Sequence, residues 1–364
     1  MIKLSVPDIG NEELEEIIKV LSSKNLVQGE KVQQFEEVLS KYLNIKYCIA
    51  VSSGTAALHL ALLSLGIGKE DQVIVPDFTF PATANAVELT GATPSFVDIS
   101  LDSFCIDANK IEQAINGKTK VIMPVHEFGQ CADMDKIMDI ARKSNLKVVE
   151  DGACALGSSY KGKKAGTMGD LGCFSFHPRK IITTGEGGMI VTQEEELAKK
   201  IISLRNHGIS YINGKTCFTQ PGFNYRMTDI QAAMGIAQMK KLDKIIHLRK
   251  NIVKEYSNLL GSSPNLILPI EKSYGEHTYQ TYHVLLNKKL NRDYIKQLLN
   301  ESLVESNIGA YALHEQLYYK NKYSFNMDFT NSEIAYTKGL ALPLHSDLNY
   351  DKLQYISNIL LNQL

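Results

Sequence analysis

From Tyr47 onward, short and continuously apolar runs alternate with stretches of helical periodicity, and this alternation limits the possible folds more than any other feature. Tyr47–Val51, Gln72–Val75, Thr93–Val97, Val121–Pro124, Leu146–Glu150, Leu171–Ser175 and Met189–Thr192 read as strands. Thr55–Leu65, Pro81–Leu89, Met134–Ser144 and Glu194–His207 read as helices. A strand that is apolar along its whole length has to be covered on both faces. The pattern therefore predicts an α/β domain around a mainly parallel sheet. In such sheets ligands bind beyond the carboxyl ends of the strands, a rim that carries Ser52–Thr55, Asp77–Phe80, His126 and Asp151.

Two amphipathic helices precede this region. Asn11 is the expected N-cap of the first, with Leu14, Ile17, Ile18 and Leu21 on its packing face. The second buries Val32, Phe35, Leu39 and Tyr42. Beyond Lys240 the pattern changes. Leu242, Ile245, Ile246, Arg249, Val253 and Tyr256 suit a long helix leaving the sheet, His277–Leu286 alternates like a strand, and Tyr294–Ser302 and Asp351–Leu364 look helical. The expected organisation is a large domain, residues 1–245, and a smaller C-terminal α+β domain, residues 246–364.

A formal net charge of −1 gives no electrostatic reason to expect nucleic acid or an anionic membrane as partner. No apolar run approaches the roughly 20 residues that span a bilayer, and no signal peptide is visible at the start. The six cysteines show no CxxC pair and no metal-like spacing. Reduced thiols and a cytoplasmic location are the expectation.

The stretch Val148–Val191 concentrates the chemistry. Asp151 ends a buried strand, and Lys180 precedes a Thr-Thr-Gly-Glu-Gly-Gly turn. A carboxylate there and a lysine further along suit a cofactor with a pyridine nitrogen and an aldehyde, pyridoxal phosphate (PLP). The carboxylate would keep the nitrogen protonated. The lysine attacks an aldehyde only as the neutral amine, so burial or cationic neighbours are expected to lower its pKa. Ser53-Gly54-Thr55-Ala56, between a strand and a helix, suits a phosphate at the helix start, with Ser53 and Thr55 hydroxyls as added donors. Phe78 and Phe80 could stack on a pyridine ring, although isolated phenylalanines are more often core. His126-Glu127-Phe128-Gly129-Gln130 begins like HExxH but has Gln130 in the second histidine's place, so no metal site is expected.

SSGTAALHLAL from Ser52, EDGACALGSSYKGKKAGTMGDLGCFSFHPRKIITTGEGGM from Glu150, LRNHGI from Leu204 and GFNYRMTDIQAAMG from Gly222 resemble the signature blocks of the DegT/DnrJ/EryC1/StrS nucleotide-sugar aminotransferases. These are PLP enzymes of the aspartate aminotransferase-like fold type I, with a mostly parallel seven-stranded sheet. The match runs from about Pro7 to Pro343, most specifically around Lys180. The resemblance implies that Lys180 carries the cofactor as a Schiff base and that Asp151 pairs with the pyridinium. Ser175 would bind the phosphate with Gly54, Thr55 and Ala56, and Phe80 would be the stacking aromatic. Asn224 would reach the cofactor phosphate of a second subunit, which implies a homodimer. Arg226 is a candidate for a substrate anion, and His314 and His345 fall near the sugar site. The family usually has Gln or His where this chain has Cys154; a thiol is the weaker hydrogen-bonding group, so Cys154 is expected only as a contact.

The implied reaction is ping-pong transamination from L-glutamate, through pyridoxamine phosphate, to the keto group of a nucleotide-linked dideoxy keto-sugar. Amination of a cyclitol ketone is an alternative. A sugar-dehydratase branch replaces the lysine with histidine, which Lys180 argues against. A PLP-binding regulatory protein without turnover is the reading from another class, and no helix-turn-helix or basic patch supports it.

Overall fold

The seven apolar runs pair into one sheet in the computed structural model, which describes residues 1–287 and 289–363. Its strands are Tyr47–Val51 (β1), Gln72–Pro76 (β2), Thr93–Val97 (β3), Thr119–Ile122 (β4), Lys147–Asp151 (β5), Leu171–Ser175 (β6) and Gly188–Thr192 (β7). Across the sheet they lie in the order β1-β7-β6-β5-β4-β2-β3. β6, β5, β4, β2 and β3 pair in parallel, whereas β7 is antiparallel to both β1 and β6. The mainly parallel sheet matches the sequence pattern. β4 starts and ends two residues earlier than expected, at Thr119 and Ile122, and pairing with β5 resumes as a single bridge between Val125 and Asp151.

One face is covered by Gly54–Ser64 (α3), which buries Ala57, Leu58, Leu60, Ala61 and Leu62 around most of its circumference. A helix apolar all round needs packing on every side, and the sheet, Ala82–Leu89 (α4) and Glu195–Arg205 (α6) supply it. The other face is covered by Met134–Ser144 (α5), whose Ile137 and Ala141 cluster with Ile122 and Val148. There Phe35 of Glu30–Leu43 (α2) meets Phe176 edge-on, with ring centroids 5.2 Å apart. It also presses on Gly235 of the long helix Asp229–Leu260 (α7), where an added Cβ would lie 2.7 Å from the Phe35 ring.

The first helix, Asn11–Ser23 (α1), departs from expectation twice. Its N-cap is Gly10 rather than Asn11, and Glu13 reaches back to the Gly10 N–H at 2.7 Å. Leu14, Ile18 and Leu21 are exposed, while Glu13 and Val20 are buried. The helix is held to α7 through Glu13, which accepts from Gln238 Nε2 at 2.9 Å and Lys241 Nζ at 2.9 Å. That anchor turns the apolar stripe outward.

α7 links two cores. Met239, Leu242 and Ile245 pack with α2, and Ile252, Val253, Tyr256 and Leu260 pack with the C-terminal elements. Those elements are the antiparallel strands Leu266–Ile267 (β8), Tyr282–Leu286 (β9) and Gly339–Leu342 (β10), with helices Arg292–Glu301 (α8) and Tyr350–Leu361 (α9). We place the division between residues 1–245 and 246–364 inside α7, although Ile2 bridges Val304 and so packs with the second core. The strand expected from His277 begins only at Tyr282, because the N–H of Thr278 instead donates to Gly129 at 3.2 Å. The final helix ends at Leu361; Leu364, included in the expected helix, lies outside the described residues. No helix among the described residues is long and apolar enough to cross a membrane.

Glu150, next to the end of β5, is fully buried and explains the glycine-rich stretch after it. Its carboxylate accepts from the N–H groups of Gly166 (2.8 Å), Met168 (2.6 Å) and Gly169 (2.6 Å), and from His126 Nε2 at 2.7 Å. Gly166, at φ +82°, lies against the Phe174 ring, where a side chain would collide. Glu150→Ala strands four donors. Two of them, the Gly166 N–H and His126 Nε2, are buried, each worth about 1–3 kcal/mol when unsatisfied, and the Met168 and Gly169 N–H groups are half-buried. The expected outcome is a clear fall in the denaturant midpoint; an unchanged midpoint would show that the loop holds without this carboxylate.

Candidate active site

Parallel strand ends bring the expected residues to one rim. Asp151 terminates β5 with only 4% of its surface exposed. Its Oδ2 accepts from Thr83 Oγ1 at 2.8 Å, and its Oδ1 from the Ala153 N–H at 3.1 Å. The neighbouring rim loop is locked to it, since the His126 N–H donates to the Asp151 carbonyl at 3.0 Å. Burial raises the Asp151 pKa, opposed by the Ala153 and Thr83 hydrogen bonds and by the charge of Lys180. This carboxylate lies in a site that disfavours its charge unless a cation is near.

Lys180 belongs to the loop joining β6 to β7. The neck of that loop is closed by the Phe176 N–H to the Gly187 carbonyl at 2.9 Å, and by the Thr184 N–H to the Phe176 carbonyl at 3.0 Å. Lys180 Nζ donates to Cys154 Sγ at 3.1 Å, and both residues are half-buried by surface. The expectation of a depressed lysine pKa fails here. Burial pulls it down, but Cys154, Asp151 and Glu127 outweigh that and hold it above the ordinary lysine value. The neighbours are acidic rather than cationic.

The anion cup also forms. Ser53 caps α3, its Oγ accepting from the Ala56 N–H at 3.1 Å, so those two groups are already bonded to each other. The first turn leaves the Gly54 and Thr55 N–H groups without intrahelical acceptors, as any helix start does. Ser175, half-buried at the end of β6, stands directly opposite: a Cβ added at Gly54 would lie 2.7 Å from the Ser175 Cβ. The close approach requires glycine.

The remaining candidates are spread around this centre. Phe80 is 63% exposed, with its ring edge-on to Tyr311 at 6.5 Å, whereas Phe78 is buried in the core. Asn224 is exposed and its backbone bridges Asn206; Arg226 Nη1 donates to the Asn206 side chain at 2.5 Å. His314 reaches the rim through Asp77, with Nδ1 2.6 Å from Asp77 Oδ2. His345 instead contacts the Lys3 carbonyl through Nε2 at 3.1 Å, and burial lowers its pKa. Its recorded hydrogen bond ties it to the N-terminal segment, not to the residues around Lys180.

Three participants were not singled out in the sequence. Thr79 and Thr83 are buried hydroxyls 3.1 Å apart that lead to Asp151. Glu127, dismissed with the failed HExxH pattern, is buried and its carboxyl is pushed up to about 8, mainly by burial. Their signal was position: Thr79 and Glu127 each follow a strand end on the rim.

A chain-wide match accompanies this geometry: residues 7–361 fit the DegT/DnrJ/EryC1/StrS aminotransferase family. The chain belongs to this family. Among curated relatives, the GDP-perosamine synthase of Caulobacter vibrioides is 39% identical over 351 residues, covering 95% of this chain and 94% of that protein. The UDP-4-amino-4,6-dideoxy-N-acetyl-beta-L-altrosamine transaminase of Campylobacter jejuni is 36% identical over 372 residues, covering 99% and 96%. Among solved structures, the PLP form of a candidate sugar aminotransferase from Streptococcus pneumoniae superposes with a TM-score of 0.94 at 30% identity, covering 99% of both chains. This aminotransferase has the PLP-dependent fold type I architecture.

The residues present fit PLP. The Gly54–Ser175 cradle suits a phosphate, the Asp151 carboxylate awaits a cation, and Lys180 Nζ points into the same buried cluster. Gly54→Val fills the cradle. We expect PLP retention to fall about tenfold or more, roughly 1.4 kcal/mol per decade, with the circular dichroism spectrum unchanged. Retained affinity would place the phosphate elsewhere.

Proposed function

We propose that this aminotransferase moves an amino group from L-glutamate to the keto carbon of a nucleotide-linked dideoxy keto-sugar, in two half-reactions at one site. The observation that carries the reading is the Asp151–Lys180 pair beside the Gly54–Ser175 cradle, in a chain whose relatives act on GDP- and UDP-linked sugars by name. PLP, when bound, supplies the electron sink and, as its pyridoxamine form, carries the amino group between the half-reactions.

The chain's own residues do the rest. Asp151 holds the pyridine nitrogen protonated, and Gly54, Thr55 and Ser175 bind the phosphate, with Ser53 adding its hydroxyl hydrogen and Ala56 exchanging its bond to Ser53 for one to the phosphate. Phe80 covers the ring face, and Cys154 contacts the cofactor beside Lys180. Lys180 would anchor the cofactor and then, as a free amine, take the proton from the donor's α-carbon and hand it to the cofactor in the first half-reaction, and reverse that transfer toward the sugar carbon in the second. Its acidic surroundings mean that it starts as an ammonium and has to lose a proton first. Arg226 and His314 face the acceptor, with His345 a more distant candidate.

A homodimer completes the site in this reading. Phe80 is exposed at the rim, and the hairpin of Ile209–Ile212 and Lys215–Phe218 presents Tyr211 (79% exposed) and Phe218 (72% exposed). Apolar surface of this kind, with the outward stripe of α1, calls for a covering partner. A second subunit also brings Asn224 to the cofactor phosphate across the interface. The protein then works as a cytoplasmic enzyme with no nucleic acid or membrane partner.

Protein loaded with PLP and glutamate is expected to aminate one member of a panel of UDP-, GDP- and dTDP-linked 3-keto and 4-keto sugars, read by the mass of the product. Amination of a cyclitol ketone alone would replace the substrate class. Lys180→Ala is expected to lose at least about a hundredfold in rate; full activity in that variant would end the reading. Sedimentation equilibrium is expected to give twice the chain mass of 40.5 kDa, and a monomer would contradict the shared site.

A further inference from the structure

The short strand Tyr311–Ala312 pairs with Phe78–Thr79 and brings the turn Leu313–Glu315 to the rim beside Asp77. The His314 ring is held there on one side. Its backbone N–H donates to Asp77 Oδ1 at 2.9 Å, its Nδ1 lies 2.6 Å from Asp77 Oδ2, and its ring stacks on Phe329 with centroids 4.7 Å apart. With the Asp77 carboxylate as acceptor, Nδ1 carries the hydrogen and Nε2 keeps its lone pair. His314 is only 8% exposed, and Nε2 is a buried atom without a hydrogen-bond partner among the described residues. Two carboxylates flank it: Glu315 Oε1 and Glu333 Oε1 each lie 3.6 Å from Nε2.

That separation is too long for a hydrogen bond, which needs about 3.2 Å or less. It suits a shared ion. Donors about 2.1–2.2 Å from a tetrahedral metal ion are about 3.4–3.6 Å from one another. One donor atom from each of His314, Glu315 and Glu333 lies within 4.8 Å of the other two. Both glutamates are exposed, so their side chains can close the gap that remains.

We propose that His314 Nε2, Glu315 and Glu333 bind a divalent transition-metal ion such as Zn²⁺, with Asp77 as the outer carboxylate that orients the imidazole. A carboxylate behind a metal-bound histidine is the usual way its tautomer is fixed. Imidazole among the ligands favours a first-row transition ion over Mg²⁺ or Ca²⁺, and water completes a three-ligand site. The glutamates are placed by other contacts. The Ser332 N–H and Oγ both donate to the buried Asp98 Oδ1 at 2.8 Å, which fixes the first turn of the helix Thr330–Lys338 and with it Glu333. Lys320 Nζ donates to Glu315 Oε2 at 3.1 Å and leaves Oε1 for the ion. The ion would tie this helix to the turn that meets Asp77. The site stands apart from Lys180 and does not depend on the transamination reading.

The test is calorimetric titration of full-length, PLP-loaded protein with ZnCl₂ after removal of adventitious metal by a chelator. Because His314 is also a candidate on the acceptor side, the variants are Glu333→Gln and Glu315→Gln. We expect one saturable site per chain in wild type, weakened about tenfold or more in each variant. No saturable uptake by wild type would overturn the proposal and leave a proton as the occupant of Nε2. Uptake unchanged in either variant would overturn it as well. Zinc-edge X-ray absorption of the wild-type complex reads the ligands even if a variant fails to fold. One imidazole with oxygen donors is the expected set; sulfur, or a second imidazole, would overturn the assignment.

Discussion

A carboxylate held out of water at the end of a parallel strand is the interaction on which this site depends. Burying an isolated carboxylate costs roughly several kcal/mol even after the protein relaxes. The fold offsets part of that for Asp151 with the Thr83 hydroxyl and the Ala153 N–H. The remainder needs a positive charge. Lys180 supplies one at a distance, through the cluster it shares with Cys154 and Glu127. A pyridinium ring set against Asp151 would supply a closer one, and cofactor binding would then relieve a cost built into the empty fold.

The sheet topology explains why these groups meet. Parallel strands put their carboxyl ends on one edge, so β1, β2, β5 and β6 deliver the Gly54 cradle, Asp77 to Phe80, Asp151 and Ser175 to the same rim. The reversed strand β7 has the opposite consequence. It lets the β6–β7 loop return across that rim, with Lys180 held on it by the closed neck at Phe176 and Gly187. The buried Glu150 then stiffens the far side of β5 by gathering three loop N–H groups and His126.

Much of this was legible in the sequence because it depends on local pattern. Continuous apolar runs gave all seven strands of the sheet, and residues just past their ends formed the rim. The errors came where tertiary contacts overrode pattern. Leu14, Ile18 and Leu21 mark a helical face, but the Glu13 contacts with Gln238 and Lys241 decide which way that face points. The segment from His277 alternates like a strand, yet Glu271 captures its first backbone donor and Gly129 the next, from Thr278. The pKa direction of Lys180 was missed because the sequence does not show that Cys154 and Asp151 come close enough to the ammonium to outweigh its burial, with Glu127 adding to them. The hydroxyl line from Thr79 to Asp151 was hidden for the same reason.

The central claim is that Asp151, buried and waiting for a cation, keeps the cofactor's ring nitrogen protonated. Nitrogen-15 NMR of the protein loaded with PLP labelled at that nitrogen tests it most directly. The account predicts the shift of a protonated pyridine nitrogen throughout the pH range in which the protein is folded, and its loss in Asp151→Asn. A nitrogen that titrates in wild type as it does in free PLP, or one unaffected by Asp151→Asn, would contradict it.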